Sequence, residues 1–516
     1  MESGTENETI IVNSPLVSYT PTHIISTCEY SDAQVRNNQV FPRTDRLQFR
    51  TEKHVAKTGV MLIGWGGNNG STFTASIIAN KLGISWMTKS GAEKSNYLGS
   101  ICKSMTIRIG VDEQNQPVHT PMTKILPMLD PNTIEISGWD INGTNLGDAM
   151  RRSKVLDFDL QEQVYSTLKE MVPLPSLYLP EWIAASQRDR ANNLIQGNKQ
   201  EIVDVLRNNI RDFKAAKGLE RVIVIWTANT EKDSVVRNGV NDTADNLLAS
   251  ILRNSEEISV STLFAVASLL ENCPYVNGSP QNTFIPGIID LAERRQVLIC
   301  GDDFKSGQTK LKSVLSDFLI NSGLKLRSLV SYNHLGNNDI RNLSSPQASG
   351  SKELSKSGLI EEIVRSNKII YTDDESPDHC VVFKYVPYVG DNKTAMDEYV
   401  SEIFMGGTNT LVLHNTGEDS LLAAALMVDL AMLVELCCRV EVRCEKEEEF
   451  KKMNPVLSIL SYLMKSPVVP AGSPVNHCLF PQRFAIINFV RTLVGLPVEN
   501  FLMLEHKLNC LRGYNS

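Results

Sequence analysis

The chain has 516 residues, enough for about three domains or two large ones, and its 42% hydrophobic against 21% charged residues leaves no room for a large disordered share. A net charge of −8 argues against wholesale binding to nucleic acid or an anionic membrane, so any anionic ligand must find a local basic pocket. Ten cysteines contain no C-x-x-C and eight histidines no H-E-x-x-H, so no metal site is expected, and the thiols read as reduced and mostly buried in a cytoplasmic protein.

Taken in order, residues 1–55 hold short β-like runs, Ile10-Ile-Val12 and His23-Ile-Ile-Ser26, and then a polar stretch, which together read as an arm. The rest of the chain is organised around residues 59–72. Val60 to Ile63 suits a buried parallel strand, Phe73 to Leu82 a helix, and between them lie Gly64, Gly66, Gly67 and Gly70. Glycines in such a turn allow positive φ and let backbone N–H groups approach a pyrophosphate at a helix start. The spacing departs from G-x-G-x-x-G because position 69 is Asn, and no acidic residue follows about twenty positions on. The acidic candidate is Asp140, at the end of the strand-like run Thr133-Ile-Glu-Ile-Ser-Gly-Trp-Asp140, which makes residues from about 83 to 130 an insertion. Taken alone, the turn is also compatible with a glycine-rich hairpin that binds nothing.

Lys154 to Lys169 has helical spacing, Pro173 to Pro180 interrupts it, and helices resume over Arg188 to Lys217. Arg221-Val-Ile-Val-Ile-Trp-Thr227 is a buried strand running into Ala228, Asn229 and Thr230, which should face the same ligand. Gln296 to Cys300 is a last short strand before Gly301-Asp-Asp-Phe-Lys-Ser-Gly-Gln-Thr-Lys310. Residues 301–368 carry ten Lys/Arg against seven Asp/Glu, a local excess that suits an anionic substrate. Lys352 and Lys356 share a helix face at i,i+4, where a phosphate would relieve their repulsion, although a solvated basic face is the commoner meaning of such a pair. Cys380 to Val386 and Thr410 to His414 are strands of an α+β region. Leu421 to Cys438 is apolar but interrupted by Asp429 and Glu435, hence a buried helix rather than a membrane span, and the remainder reads as mainly helical.

Five blocks, Gly64-Trp-Gly-Gly-Asn-Asn-Gly-Ser-Thr72, Gly278-Ser-Pro-Gln-Asn-Thr-Phe284, Gly301 to Lys310, Ser331-Tyr-Asn-His-Leu-Gly-Asn-Asn-Asp339 and Ala395-Met-Asp-Glu-Tyr399, closely resemble the eukaryotic inositol-1-phosphate synthases. The resemblance implies an α/β fold, with a Rossmann-like NAD-binding domain carrying insertions and an α+β catalytic and oligomerisation domain. The boundaries it suggests are an arm at 1–55, the NAD-binding domain at 56–310, the α+β domain at 311–420 and a helical region at 421–516 that returns to the NAD-binding domain. It implies NAD as cofactor, glucose 6-phosphate as substrate, and a redox-neutral conversion to 1D-myo-inositol 3-phosphate through oxidation at C5, enolisation, aldol cyclisation and reduction. It further implies a homotetramer built on the second domain's sheet. No nucleic-acid or membrane partner is expected.

Carried over position by position, the family's catalytic set falls on Lys352, Lys356, Lys393 and Lys465 with Asp303, Asp339 and Asp419. Lys352 is expected to transfer the proton at C5. Cofactor contacts fall on Gly66, Gly67, Asn68, Asn69, Asp140, Ser176, Gln187, Arg190, Thr227, Ala228, Asn229, Thr230, Gly278 and Ser279. Nearer the chemistry they fall on Asp303, Ser306, Asn337, Asn338, Asp339, Lys352, Gly390, Asp391, Asp419 and Ser420. Two departures from the family pattern, Glu231-Lys-Asp233 and Gly417, touch none of these catalytic positions. An ordinary NAD-dependent dehydrogenase of a phosphorylated sugar, or a silent NAD-binding protein, are the competing readings.

Overall fold

The structure, a computed structural model, describes residues 9–343 and 360–501. It opens on β1 (Val17–Tyr19), β2 (His23–Arg36) and β3 (Gln39–Glu52). β2 and β3 pair along their whole length around Asn37 and Asn38, both at positive φ, a two-residue turn whose twist matches that of paired strands. The far half of this hairpin is exposed, while Ile24, Ser26 and Thr51 near its base are buried. The polar stretch after Ser26 is therefore strand. Cross-strand pairing holds it where no apolar alternation marks it.

The next strand, β4 (Thr58–Ile63), is buried throughout and feeds the helix Asn68–Leu82. Two hairpins, β5 (Ser85–Thr88) with β6 (Gly91–Lys94) and β7 (Thr106–Val111) with β8 (Pro117–Pro121), are inserted before the chain returns as β9 (Glu135–Asp140) beside β4. β10 (Leu174–Pro175), β11 (Arg221–Trp226), β12 (Tyr275–Asn277) and β13 (Ile299–Cys300) complete a parallel sheet ordered β10-β9-β4-β11-β12-β13. This is a doubly wound order. Its switch point lies between β4 and β11, where ligands of such folds sit beyond the carboxyl ends of the strands. Alternation decides the packing: Val60, Leu62, Ile223 and Ile225 face one core, and Met61, Ile63, Val222 and Val224 the other. A sheet apolar on both faces must be covered by helices on both, at about 1.5–3 kcal/mol for each fully buried aliphatic side chain.

The helix Gly307–Asn321 runs across the expected boundary at 310 and packs on a second sheet. That sheet comprises β14 (Lys325–Leu335), β15 (Asp378–Tyr385), β16 (Asn392–Glu402) and β17 (Thr408–Glu418), ordered β15-β14-β16-β17. Its outer face shows Tyr332, Met396 and Val412 to solvent.

The helix Asp419–Cys438 has a mean hydropathy of 2.2 over 18 residues, enough by length and composition to cross a membrane, yet 78% of that window is buried inside the fold, where it packs against Asn68–Leu82. Its two interior acids are satisfied. Asp429 accepts from the Ser100 hydroxyl at 2.5 Å and from the N–H groups of Ile101 and Cys102, and Glu435 pairs with Arg439 at 2.9 Å and Arg221 at 2.7 Å. The stretch beyond 421 is less helical than its composition suggests. β18 (Val440–Cys444) adds to β3, β19 (Lys451–Lys452) adds to β18, and only then does the helix Leu479–Leu493 pack back on β2 and β3. Residues 17–52 and 440–452 thus share one sheet.

Candidate functional site

The glycine turn lies at the switch point. The helix Asn68–Leu82 starts from Gly67 with no side-chain cap, so its first N–H groups and the positive end of its dipole stay available to an anion. The displaced third glycine has a steric reason: a Cβ on Gly70 would lie 2.4 Å from the Trp65 carbonyl oxygen. A Cβ on Gly66 would come within 3.2 Å of Asp140 Oδ2, which already accepts from the Gly66 N–H at 3.0 Å. Asn142 donates its N–H to the other carboxylate oxygen at 2.9 Å. Burial raises the proton affinity of Asp140, against the opposing charges of Arg190 and Arg152. An uncapped helix start, a side-chain-free approach and an acid at the end of the neighbouring strand fit the pyrophosphate and ribose of a dinucleotide.

From this turn a cavity of about 560 Å³ extends toward the second sheet. It is lined by the first turns of the helices Asn68–Leu82, Gly307–Asn321, Asn338–Leu343 and Asp419–Cys438. Among the described residues, six cationic side chains (Arg152, Lys154, Arg190, Arg341, Lys393, Lys465) and three acids (Asp303, Asp339, Asp419) line it, a positive balance inside a chain of net −8. Positive helix ends and surplus cations together select an anionic ligand. A smaller recess adjoins the glycine turn and is lined by Asp140, Ser176, Leu177, Trp226 and Val260, apolar enough for a flat ring.

At the far end the side chains are arranged in pairs. The segment around Asp303 runs alongside that around Lys465: the Lys465 N–H donates to the Asp303 carbonyl at 2.7 Å, and the Lys465 ammonium ion-pairs with the Asp303 carboxylate. Lys465 is only 3% exposed, so its charge acts in a medium of low polarity. Lys393 stands 3.6 Å from Asp419. Behind them Asp391 joins two helix starts, accepting from Asn68 Nδ2 at 3.1 Å and from the N–H and hydroxyl of Ser420 at 2.7 and 2.8 Å. Burial pushes its carboxyl up to about 6.

A family model described as Myo-inositol-1-phosphate synthase, an NAD-binding domain, matches residues 58–491. The chain belongs to the myo-inositol-1-phosphate synthase family. It is 54% identical to human inositol-3-phosphate synthase 1 over 501 residues, 96% of this chain and 90% of that one. It is 51% identical to inositol-3-phosphate synthase of Dictyostelium discoideum over 97% of this chain and 99% of that one. The crystal structure of inositol-3-phosphate synthase from Caenorhabditis elegans superposes with a TM-score of 0.95 at 47% identity, covering 97% and 99% of the two chains. A myo-inositol-1-phosphate synthase-related protein from Thermotoga maritima, 19% identical with a TM-score of 0.59, shares the fold.

The residues carried over from the family occupy three kinds of place. Gly67, Asn68, Asn69, Arg190, Thr227, Ala228, Asn229, Gly278, Ser279, Asp303, Ser306, Asn337, Asn338, Asp339, Gly390, Lys393, Asp419 and Lys465 line the main cavity, and Asp140 and Ser176 the adjoining recess. Others stand behind the wall and orient it. Gln187 is fully buried and accepts from Asn338 Nδ2 at 2.9 Å, Thr230 donates its N–H to Asp339 Oδ1 at 2.9 Å, and Gly66, Asp391 and Ser420 hold the carboxylate bonds of the turn and the helix starts. Lys352 and Lys356 lie outside the described residues.

Sequence reasoning missed Arg152 and Lys154. The helix expected over Lys154 to Lys169 starts only at Phe158, and a separate helix, Leu146–Ser153, precedes it and ends at Lys154, whose φ is 53°. The end of this earlier helix lies on the cavity, and Arg152 donates to the Gly66 carbonyl at 2.6 Å. The run Arg151-Arg-Ser-Lys154 eleven residues beyond Asp140 was the available signal.

Proposed function

We propose that the chain converts D-glucose 6-phosphate to 1D-myo-inositol 3-phosphate in an NAD-dependent, redox-neutral isomerisation, an intramolecular lyase reaction that begins inositol biosynthesis. The observation that carries this reading is the sugar end of the cavity. Two lysine–carboxylate pairs, Lys465 with Asp303 and Lys393 with Asp419, stand beside a dinucleotide-type turn. Bound NAD supplies hydride uptake at C5 and its later return.

The chain's own residues do the remainder. The substrate phosphate is held at the start of the helix Gly307–Asn321, where Ser306 and Thr309 line the cavity and the Ser306 side chain caps none of the first N–H groups, with Lys393 as counter-charge. Lys465, fixed by Asp303, stabilises oxygens on which negative charge develops during enolisation and ring closure. By resemblance, Lys352 moves the proton at C5 and Lys356 completes the cationic set. Asp140 holds the adenosine ribose and the recess beside it the adenine, with Arg152 and Arg190 near the pyrophosphate.

We assign residues 56–310 mainly to cofactor binding and 311–420 mainly to catalysis and assembly, with the helix Gly307–Asn321 running across the two and Asp303 and Lys465 reaching the sugar end from either side, 1–55 as arm and 421–516 as the returning segment. A homotetramer formed through the second sheet accounts for Tyr332, Met396 and Val412, 56%, 49% and 57% exposed on its outer face. Nine described cysteines, all free thiols, suit the cytoplasm. The test is to incubate the purified protein with glucose 6-phosphate and NAD⁺ while following NADH absorbance and inositol phosphate together. Inositol phosphate without net NADH is expected. Net NADH without inositol phosphate points instead to a dehydrogenase, and NAD⁺ binding without reaction to a silent binding protein.

A further inference from the structure

Beneath the sugar end of the cavity lies a buried polar layer that the proposed reaction does not use. A helix packed on a sheet ordinarily meets it with apolar side chains. Here the buried face of Gly307–Asn321 begins with Gln308 and Lys312 and turns apolar only at Leu319 and Ile320. The strands opposite present Ser331 on β14 and Asp397 on β16, which are direct partners in register. Ser331 and Asp397 are 0% and 1% exposed, and Lys312 is 3% exposed.

Two bonds tie helix to sheet: Gln308 Nε2 donates to Asp397 Oδ1 at 3.1 Å, and Lys312 Nζ donates to Ser331 Oγ at 2.6 Å. The other carboxylate oxygen of Asp397 has no hydrogen-bond partner among the described residues. Burying an ammonium here carries a desolvation cost that an apolar side chain of the same volume would avoid, so its charge calls for a reason beyond packing.

That reason lies directly above. Gln308 belongs to the turn whose neighbours Ser306 and Thr309 line the cavity. Among the described residues, the charged groups that face Lys312 are Asp397 from β16, Lys393 at the start of the same strand and Lys465 from the segment paired with Asp303. Burial and these two lysines lower its proton affinity, Asp397 opposes them, and the group settles at about 8, still largely protonated at neutral pH.

We propose that Lys312 is a positioning residue for the phosphate of the substrate. Held by Ser331 beneath the first turn of Gly307–Asn321, its ammonium adds a fixed positive charge under the anion site, while the Gln308–Asp397 bond keeps that turn seated on the sheet. The inference rests on the phosphate placement given under Proposed function.

Three variants separate this role from a merely structural one: Lys312→Met, Asp397→Asn and the two combined. Each is prepared with NAD present, and its melting temperature, its kcat and KM for glucose 6-phosphate and its calorimetric affinity for inorganic phosphate are measured. Lys312→Met alone lowers the melting temperature, because it leaves a buried carboxylate uncompensated, and raises KM. The double variant regains stability but keeps a KM raised about tenfold, with phosphate affinity weakened by a similar factor and kcat changed by less than about threefold.

A double variant whose KM and phosphate affinity return to within about twofold of the parent overturns the proposal, leaving Lys312 as a structural counter-ion. Asp397→Asn keeps an oxygen able to accept from Gln308 but removes the acid that opposes the lowering of the Lys312 proton affinity, so its KM rises more steeply with pH than the parent's and stays within about threefold of the parent at the acid end of the activity range, where the ammonium is kept. A rise there as large as the double variant's makes packing the cause and also overturns the proposal. A parent protein that binds phosphate but forms no inositol phosphate defeats the functional reading instead, and the phosphate titrations still decide the role of Lys312.

Discussion

The two ends of the cavity are built by different physics. At the dinucleotide end recognition is made of backbone: glycines that leave no Cβ, an uncapped helix start, and Asp140 held by the N–H groups of Gly66 and Asn142. At the sugar end it is made of side-chain charge brought out of water, with Lys465 against Asp303, Lys393 against Asp419 and Lys312 below. A bound cofactor needs shape and a fixed dipole. A reaction that moves charge among oxygens needs cations whose field is not weakened by solvent. The comparison therefore predicts that the two ends fail separately.

The largest effect is expected at the sugar end. Lys465→Met removes a buried ammonium without removing its volume, and turnover should fall by roughly three orders of magnitude or more, while the dissociation constant for NAD changes by less than about threefold. Kinetics and a cofactor titration on the same preparation read both quantities. Equal losses would mean that the two ends act as one unit.

Gly70→Ala addresses the other end. Its Cβ would meet the Trp65 carbonyl at 2.4 Å, so the turn must shift, at a cost of about 1–3 kcal/mol in stability together with most of the NAD affinity. Thermal unfolding with and without NAD measures both. An alanine variant with unchanged melting temperature and cofactor affinity would remove the steric account of the displaced glycine.

The smallest effect is expected at the joint between the ends. Asp391 carries a folded-state proton affinity raised to about 6 by burial, above the ordinary carboxylate value. A raised carboxyl binds its proton more tightly folded than unfolded, so its contribution to stability is greatest below the unfolded value and is lost as pH rises from about 4 through about 6. Asp391→Asn should flatten that part of the stability–pH curve by on the order of 2 kcal/mol. An unchanged slope would show that the bonds from Asn68 and Ser420 outweigh burial.

Much of the dinucleotide end was legible in residues 59–72 and 133–140, because a short buried strand, a glycine turn and a helix are local patterns written in consecutive residues. The shifted glycine at 70 looked like a flaw in the motif until the Trp65 carbonyl beside it was visible. The hairpin of β2 and β3 was not legible beyond Ser26, since its polar outer half is held by pairing, and β18 joins it from some 390 residues away.

By itself the sequence determined which residue types were available: a parallel sheet apolar on both faces, glycines where backbone must approach an anion, and lysines carried over from a family resemblance. Tertiary structure alone decided which of them meet. It set Arg152 on Gly66 by ending the helix Leu146–Ser153 at Lys154, paired Lys465 with an aspartate 162 residues earlier, and buried Lys312 between helix and sheet. Charge gains strength from removal of solvent, and which side chains lose their water is a property of the assembled fold rather than of any stretch of chain.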